Sequence, residues 1–206
     1  MTKVKICGIN DAAGFDATVQ AGADYVGFVF FARSPRNVAA ADAARLSARH
    51  AGGPQRVGLI VDASDEEIAA ILAELPLDIL QLHTDAARAR HVRARFGLPV
   101  WWAVGVSAPD DLPRDMDGAD TLLLDAKAPL GATRPGGNAA VFDWSILAEW
   151  QAPGPWVLAG GLNPGNVAEA VRRTGAPCVD VSSGVESAPG VKDPARIGAF
   201  VAAARG

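Results

Sequence analysis

The feature that most restricts what this chain can fold into is an alternation. Short apolar runs rich in β-branched and aromatic residues recur at 4–7, 25–30, 56–61, 79–83, 100–106, 121–126, 156–161 and 178–183. Between them lie segments at 12–21, 41–50, 65–75, 86–96, 166–173 and 194–204, rich in Ala, Leu, Glu and Arg, a composition that favours helix. Asn10, Ser64, Asp85 and Asn163, the last followed by Pro164, stand where four of these helices would be capped. The segment after Val106 reads poorly as helix, because Pro109, Pro113 and Gly118 interrupt it. Strands alternating with helices call for parallel pairing and right-handed crossovers, and eight such units with short connections close into a (β/α)8 barrel. An open doubly wound sheet is the alternative. Against it, no G-x-G-x-x-G follows the first run, and the repeat has no break at which strand order would reverse. The expectation is an α/β protein, one (β/α)8 TIM barrel over residues 1–206 as a single domain.

At 206 residues such a barrel sits near the lower end of its size range, with little room for additions. Hydrophobic residues make up 50% of the chain, enough for a sizeable core. Nineteen basic against 23 acidic side chains give a formal net charge of −4 with no basic run, so nothing here offers an electrostatic footprint for nucleic acid. The apolar stretches at 23–32 and 100–106 fall short of the roughly 20 residues a membrane-spanning helix needs. The first residues enter a strand pattern at once, without the apolar core of a signal peptide. The expected setting is cytoplasmic, without nucleic-acid or membrane partners. Cys7 and Cys178 stand in separate runs with no CxxC spacing, which points to two free thiols rather than a disulfide or a zinc site. No His, Asp and Glu cluster has metal-ligand spacing, so no metal is expected.

Side chains alternate in direction along a strand, so in a closed barrel one parity faces the helices and the other the interior. Val4 and Ile6, Leu80 and Leu82, Leu122 and Leu124, and Val179 and Val181 make apolar outward sets. The opposite parity holds Lys5 and Cys7, Gln81 and His83, Asp125, and Asp180 and Ser182. Polar groups thus gather on the inward parity near the carboxyl ends of four strands, where barrel enzymes place their active sites. Some polar residues in a barrel interior can also be structural.

Two glycine-bearing turns end the last two runs, Gly160-Gly161 and Ser182-Ser183-Gly184. Without a Cβ the backbone amides there can approach an anion, and turns after the seventh and eighth strands are the usual phosphate cradle of this architecture. Cys7 reads either as a small buried hydrophobe, the part given to Cys178, or as a base whose thiol pKa is lowered by Lys5. Asp125 follows three leucines and is either a general acid with a pKa raised by desolvation or a structural carboxylate paired with a cation such as Lys127. Arg36 can present its fork to a carboxylate or lie solvated on the surface. His83 is open between ligand, base and hydrogen-bonded barrel residue, while His50 and His91 lie in charged helical segments and should be exposed. The irregular stretch 127–141, with Pro129, Gly131, Pro135, Gly136 and Gly137, reads as a mobile active-site loop.

Taken in order, Lys3-Val4-Lys5-Ile6-Cys7-Gly8-Ile9, Gly27-Phe28-Val29-Phe30 with Ser34-Pro35-Arg36, Gln81-Leu82-His83, Leu123-Leu124-Asp125, Phe142-Asp143-Trp144, Leu158-Ala159-Gly160-Gly161-Leu162-Asn163-Pro164 and Val179-Asp180-Val181-Ser182-Ser183-Gly184-Val185-Glu186 resemble the phosphoribosylanthranilate isomerases of tryptophan biosynthesis. The resemblance spans nearly the whole chain. It implies a (β/α)8 barrel that carries out, without cofactor or metal, the Amadori rearrangement of N-(5-phosphoribosyl)anthranilate to 1-(2-carboxyphenylamino)-1-deoxyribulose 5-phosphate, third step from chorismate. On matching positions it implies Cys7 as general base and Asp125 as general acid. It further implies Arg36 against the anthranilate carboxylate, Gln81, His83 and Asp180 lining the pocket, and Gly160, Gly161, Ser182, Ser183 and Gly184 holding the phosphate. The partner is then a small phosphorylated substrate, and the chain a monomer or homodimer. One departure is a longer loop before Phe142-Asp143-Trp144 than the resemblance leads one to expect.

Two rival readings remain at this level. A phospho-sugar aldolase barrel would use Lys127 or Lys5 as a Schiff-base lysine, and a non-catalytic barrel would bind a phosphorylated ligand without converting it. The related isomerase of histidine biosynthesis uses two carboxylates, and a cysteine at position 7 argues against it.

Overall fold

The computed structural model describes residues 1–127 and 143–206. Eight parallel strands close into a barrel in chain order: β1 (Lys3–Cys7), β2 (Tyr25–Phe30), β3 (Gln55–Val61), β4 (Ile79–His83), β5 (Val100–Val106), β6 (Thr121–Ala126), β7 (Trp156–Leu158) and β8 (Cys178–Val181). Around them lie α1 (Ala12–Gln20), α2 (Ala40–Ser47), α3 (Asp65–Glu74), α4 (Ala86–Phe96), α5 (Val167–Thr174) and α6 (Pro194–Arg205). The stretch between β5 and β6 carries only a 3₁₀ turn at Pro109–Asp111, as its prolines dictate. Another 3₁₀ turn, Trp144–Leu147, precedes β7. A two-stranded hairpin, β9 (Glu186–Ala188) with β10 (Val191–Lys192), follows β8.

Both strand faces are buried, but against different things. Outward residues such as Val4, Ile6, Val26, Phe28, Leu80, Leu82, Leu124 and Val179 pack with Phe15, Ile68, Val92, Ile197 and Phe200 of the helices. Inward residues Tyr25, Val57, Ile79, Trp101, Leu123, Val157 and Cys178 form a separate plug inside the barrel. Cys178 is thus the small buried hydrophobe it was read as, its thiol pushed up to about 12 by burial.

Caps hold where the sequence offers one acceptor at the right place. Ser64 and Glu67 form a reciprocal capping box at 3.2 and 2.8 Å, and Asp85 accepts from the amide of Arg88 at 2.8 Å. Two other caps are displaced. Asp11, not Asn10, accepts from the amide of Gly14 at 2.7 Å and starts α1. Asn163 instead folds a turn, accepting from the amide of Gly165 and donating its own amide to Asn166 Oδ1, both at 2.8 Å, so that α5 begins after Asn166.

Pairing is uneven around the ring. β2 and β3 are in register over six residue pairs, as are β5 and β6, whereas β7 meets β8 at one pair, Leu158 with Val179. The last two strands are shorter than their apolar runs. Gly160 and Gly161 turn into the left-handed region at φ 85° and 65°, and a 3₁₀ turn at Ser183–Val185 takes over after β8. The loop reading at 127–141 falls, beyond Lys127, outside the described residues.

Candidate active site

Burial of a polar side chain costs free energy unless a partner is found, so buried polar groups mark places where the fold has been made to hold them. Among the described residues the buried polar side chains are Lys5, Thr18, Arg36, Gln81, Asp180, Glu186 and Lys192. Thr18 is accounted for by its bond to Gly14 O within α1. The rest belong to the barrel interior and to the corner where β1, β2, β8 and the β9–β10 hairpin meet.

Lys5 on β1 stands beside Asp180 on β8, in register, with Nζ 2.9 Å from Oδ1. Burial alone would push the Lys5 ammonium down, but Asp180 and then Cys7 outweigh it and hold it above the usual lysine range. A Schiff-base lysine needs the opposite shift. Lys127, the other such candidate, lies 3.2 Å from Asp111 Oδ1 with an exposed side chain.

Cys7 ends β1 on the same parity as Lys5 and is 3% exposed. Its neighbour in register is Gly27, where a Cβ would come within 3.1 Å of the Cys7 sulfur and of Lys5 Cε, so the glycine makes room for both. The sequence-level expectation that Lys5 lowers the thiol pKa needs correction. Lys5 does pull it down, but burial pushes harder, Asp180 adds to burial, and the net direction is upward from 9.0.

Asp125 is the last but one residue of β6, opposite Gly105 of β5 in register. Burial first, and the charge of Asp180 second, push its carboxyl from 3.8 to about 7, against smaller opposing pulls from the Ala126 amide and Lys5. Its proposed structural partner, Lys127, is instead the one paired with Asp111. The shift arises as the sequence suggested, from a carboxylate placed after a run of leucines.

Gln81 and His83 point the same way from β4, with Gln81 Nε2 3.2 Å from His83 Nε2. Burial, with help from the Lys5 charge, holds the ring pKa down at about 4, so His83 is neutral. Gln81 Oε1 is buried without a partner among the described residues. His50 and His91, by contrast, are 40% and 53% exposed and sit beside Asp16 and Asp65.

The turns after β7 and β8 press against each other. A Cβ on Gly184 would overlap Leu162 O, and one on Gly160 would lie 2.7 Å from Ala126 N and 3.2 Å from Asp125 Oδ1. Among the described residues the amides of Gly160, Gly161, Ser183 and Gly184 donate to no backbone or side-chain acceptor. Ser182 differs: its hydroxyl donates to Cys7 O at 3.1 Å and receives Lys192 Nζ at 3.3 Å, so it ties β8 to β1. Only its backbone is left for a ligand.

Arg36, from the loop between β2 and α2, is 4% exposed rather than solvated. Its Nε and Nη2 donate to the two carboxylate oxygens of Glu186 at 2.6 and 2.8 Å. Lys192 Nζ reaches the same Glu186 Oε1 at 2.8 Å. The sequence pattern alone assigns no role to Glu186, which closes the Val179–Glu186 motif, or to Lys192. The available signal was the Pro189-Gly190 pair between them, a hairpin turn that brings the opposed charges of its flanks together.

Among the described residues no three His, Cys, Asp or Glu side chains are placed to share a metal ion, and no helix is long and apolar enough to cross a membrane. Comparison with known proteins bears on the same architecture. The family model for N-(5'phosphoribosyl)anthranilate (PRA) isomerase matches residues 4–203. The N-(5'-phosphoribosyl)anthranilate isomerase of Granulibacter bethesdensis is 57% identical over 206 residues, covering 100% of this chain and 99% of that protein. The crystal structure of phosphoribosyl anthranilate isomerase from Thermotoga maritima superposes with a TM-score of 0.88 at 36% identity, over 100% of this chain and 99% of that one. A further phosphoribosyl anthranilate isomerase, solved in complex with reduced 1-(o-carboxyphenylamino)-1-deoxyribulose 5-phosphate, superposes at 0.85 with 35% identity, covering 100% and 99%. A closed eight-stranded barrel and a family match over nearly the whole length agree, and the chain belongs to the phosphoribosylanthranilate isomerase family.

Proposed function

We propose that this chain isomerises N-(5'-phosphoribosyl)anthranilate to 1-(2-carboxyphenylamino)-1-deoxyribulose 5-phosphate, with Asp125 as general acid and Cys7 as general base. The observation that carries the assignment is a carboxyl group poised at about 7, sharing the Lys5–Asp180 pair with a buried thiol. Asp125 gives its proton to the furanose ring oxygen as the C1–O bond breaks, and the anthranilate nitrogen supplies electrons to form an open-chain iminium. That cation acidifies the C2 hydrogen. Cys7 removes it, the electrons move into a C1–C2 double bond, and the enolamine tautomerises to the ketone, so an aminoaldose becomes an aminoketose with no net gain or loss of atoms.

The polar groups around them suit the rest of the substrate. The amides of Gly160, Gly161, Ser183 and Gly184, which meet no acceptor among the described residues, offer donors to a phosphate, whose binding energy fixes the sugar between β1 and β6. The unpartnered Gln81 Oε1 accepts from a sugar hydroxyl, relieving a group that otherwise costs about 1–3 kcal/mol. His83 and Asp180 line the same interior, and Arg36 meets the anthranilate carboxylate. The substrate is a small phosphorylated molecule, in keeping with the ligand of the structurally similar complex.

Turnover of Cys7→Ala and Asp125→Asn tests the assignment. Each variant should lose about 10²-fold to 10⁴-fold or more in kcat while still binding the reduced product analogue, because the lost group acts in the transition state. Near-normal turnover by either variant removes that residue from the mechanism.

A further inference from the structure

The buried group on the β9–β10 hairpin is not used by the mechanism above, yet it is built around a residue that is. Glu186 grips one edge of the Arg36 guanidinium, taking Nε at 2.6 Å and Nη2 at 2.8 Å. A guanidinium has five N–H groups. This side-on grip uses Nε–H and one Nη2–H, and leaves the two hydrogens on Nη1 and the second on Nη2 as an end-on edge suited to another carboxylate. Among the described residues nothing accepts from Nη1.

The clamp is itself held. Lys192 Nζ donates to Glu186 Oε1 at 2.8 Å and to Ser182 O at 2.9 Å, and Ser182 Oγ donates to Cys7 O at 3.1 Å. Contacts therefore run without a gap from Arg36 to the backbone of Cys7. Arg196 donates to Glu186 O, and Asn10 Nδ2 donates to Gly190 O at the hairpin tip. The aliphatic part of Arg36 is fixed too: a Cβ on Gly8 would lie 2.5 Å from Arg36 Cδ.

Charge fits the same purpose. Arg36 and Glu186 alone would be neutral and would offer an incoming anion little attraction. With Lys192 the three side chains carry one formal positive charge, matched to a single carboxylate.

We infer that Glu186, seated by Lys192, is a positioning residue that holds the end-on edge of Arg36 toward the substrate's aromatic carboxylate. This rests on the reading that Arg36 receives that carboxylate. A long side chain fixed before the ligand arrives loses less freedom on binding, so the clamp sets selectivity for the carboxylated ring rather than the rate of the proton transfers.

The test is calorimetric titration of the full chain with two compounds, the reduced 2-carboxyphenylamino product analogue and the same molecule without its ring carboxyl. The wild type should prefer the first. In Glu186→Gln that preference should fall about 10-fold or more, with affinity for the second compound changed about 2-fold at most. Glu186→Asp should recover part of the preference, and turnover of Glu186→Gln should show a raised KM with kcat within about 3-fold. If Glu186→Gln does not fold, Lys192→Gln carries the same comparison and should lower the same preference. A clamp variant that weakens both compounds equally, or neither, overturns the role of Glu186. Arg36→Met separates the two layers. If Arg36→Met abolishes the preference while Glu186→Gln keeps it, only the positioning role falls; if Arg36→Met keeps it, the carboxylate reading of Arg36 falls, and the role of Glu186 with it.

Discussion

Lys5 Nζ and Asp180 Oδ1 face each other at 2.9 Å across the β1–β8 pairing, and the two charges act in opposite senses on both proposed catalytic groups. Lys5 lowers the pKa values of Cys7 and Asp125, and Asp180 raises them. The pair therefore moves acid and base together, while the gap between them is set mainly by the chemistry of a thiol and a carboxyl group.

That gap dictates an unusual order of protonation. With the Asp125 carboxyl at about 7 and the Cys7 thiol pushed upward by burial, the form with a protonated acid and an ionised base is the minor one of the two singly ionised forms of the free protein. It is an isomer of the form with Asp125 ionised and Cys7 protonated, which dominates between the two pKa values. kcat/KM should thus rise as pH passes about 7, stay level, and fall only on the more alkaline side, where the raised Cys7 thiol ionises. A profile that already declines above pH 7 would place the thiol pKa below that of the carboxyl.

Asp180→Asn removes a charge that raises both groups, so both limbs of the profile should move to lower pH. The same change leaves Lys5 buried without its counterion, which costs about 3–5 kcal/mol of folding stability. Rate profiles and urea unfolding measure the two effects separately. Limbs that stay in place would mean that Asp180 does not reach the catalytic pair.

Asp125 and His83 should tilt stability against pH in opposite directions over nearly the same window. The folded pKa of Asp125 lies above its unfolded value, so its contribution is complete below 3.8 and is lost as pH rises through about 7. The folded pKa of His83 lies below its unfolded 6.5, so its contribution is present above 6.5 and is lost as pH falls through about 4. Relative to the wild type, Asp125→Asn should gain on the order of 2–4 kcal/mol between pH 4 and 8, and His83→Gln a similar amount on going from pH 7 to 4. Denaturant titrations at pH 4, 6 and 8 give the slopes, and parallel curves for variant and wild type would refute the shifts.

Gly160→Ala and Gly184→Ala should injure phosphate binding before chemistry. The first forces a side chain onto φ 85°, and the second drives a Cβ into Leu162 O. Each should cost about 1–3 kcal/mol of stability and weaken inhibition by inorganic phosphate about 10-fold. Unaltered inhibition would place the anion elsewhere.

The barrel was legible because its strands are buried on both faces, so each appears as a nearly unbroken apolar run, and because polar residues fall on one parity of four of them. Lys5, Cys7, Gln81, His83, Asp125 and Asp180 were found that way. The sequence could not show the sign of the Cys7 shift, since Lys5 is visible two residues away whereas the desolvation that outweighs it comes from the assembled barrel. Nor could it show the partner of Arg36, which lies 150 residues along the chain. Helix starts slid by one to three residues where two candidates stand close together, Asn10 with Asp11 and Asn163 with Asn166, because only the chain path decides which of them precedes the helix.

The lone registered pair between Leu158 and Val179 has a consequence for how ligand and fold depend on each other. This is the loosest stitch in the ring, and the two glycine turns proposed to hold phosphate flank it. An anion gripped by both turns, as proposed, would bridge what the ladder leaves open, so that occupancy would become a closing clasp for the whole cylinder. Amides of β7 and β8 should exchange early without ligand and late with it, and the melting temperature should climb with ligand concentration as mass action requires.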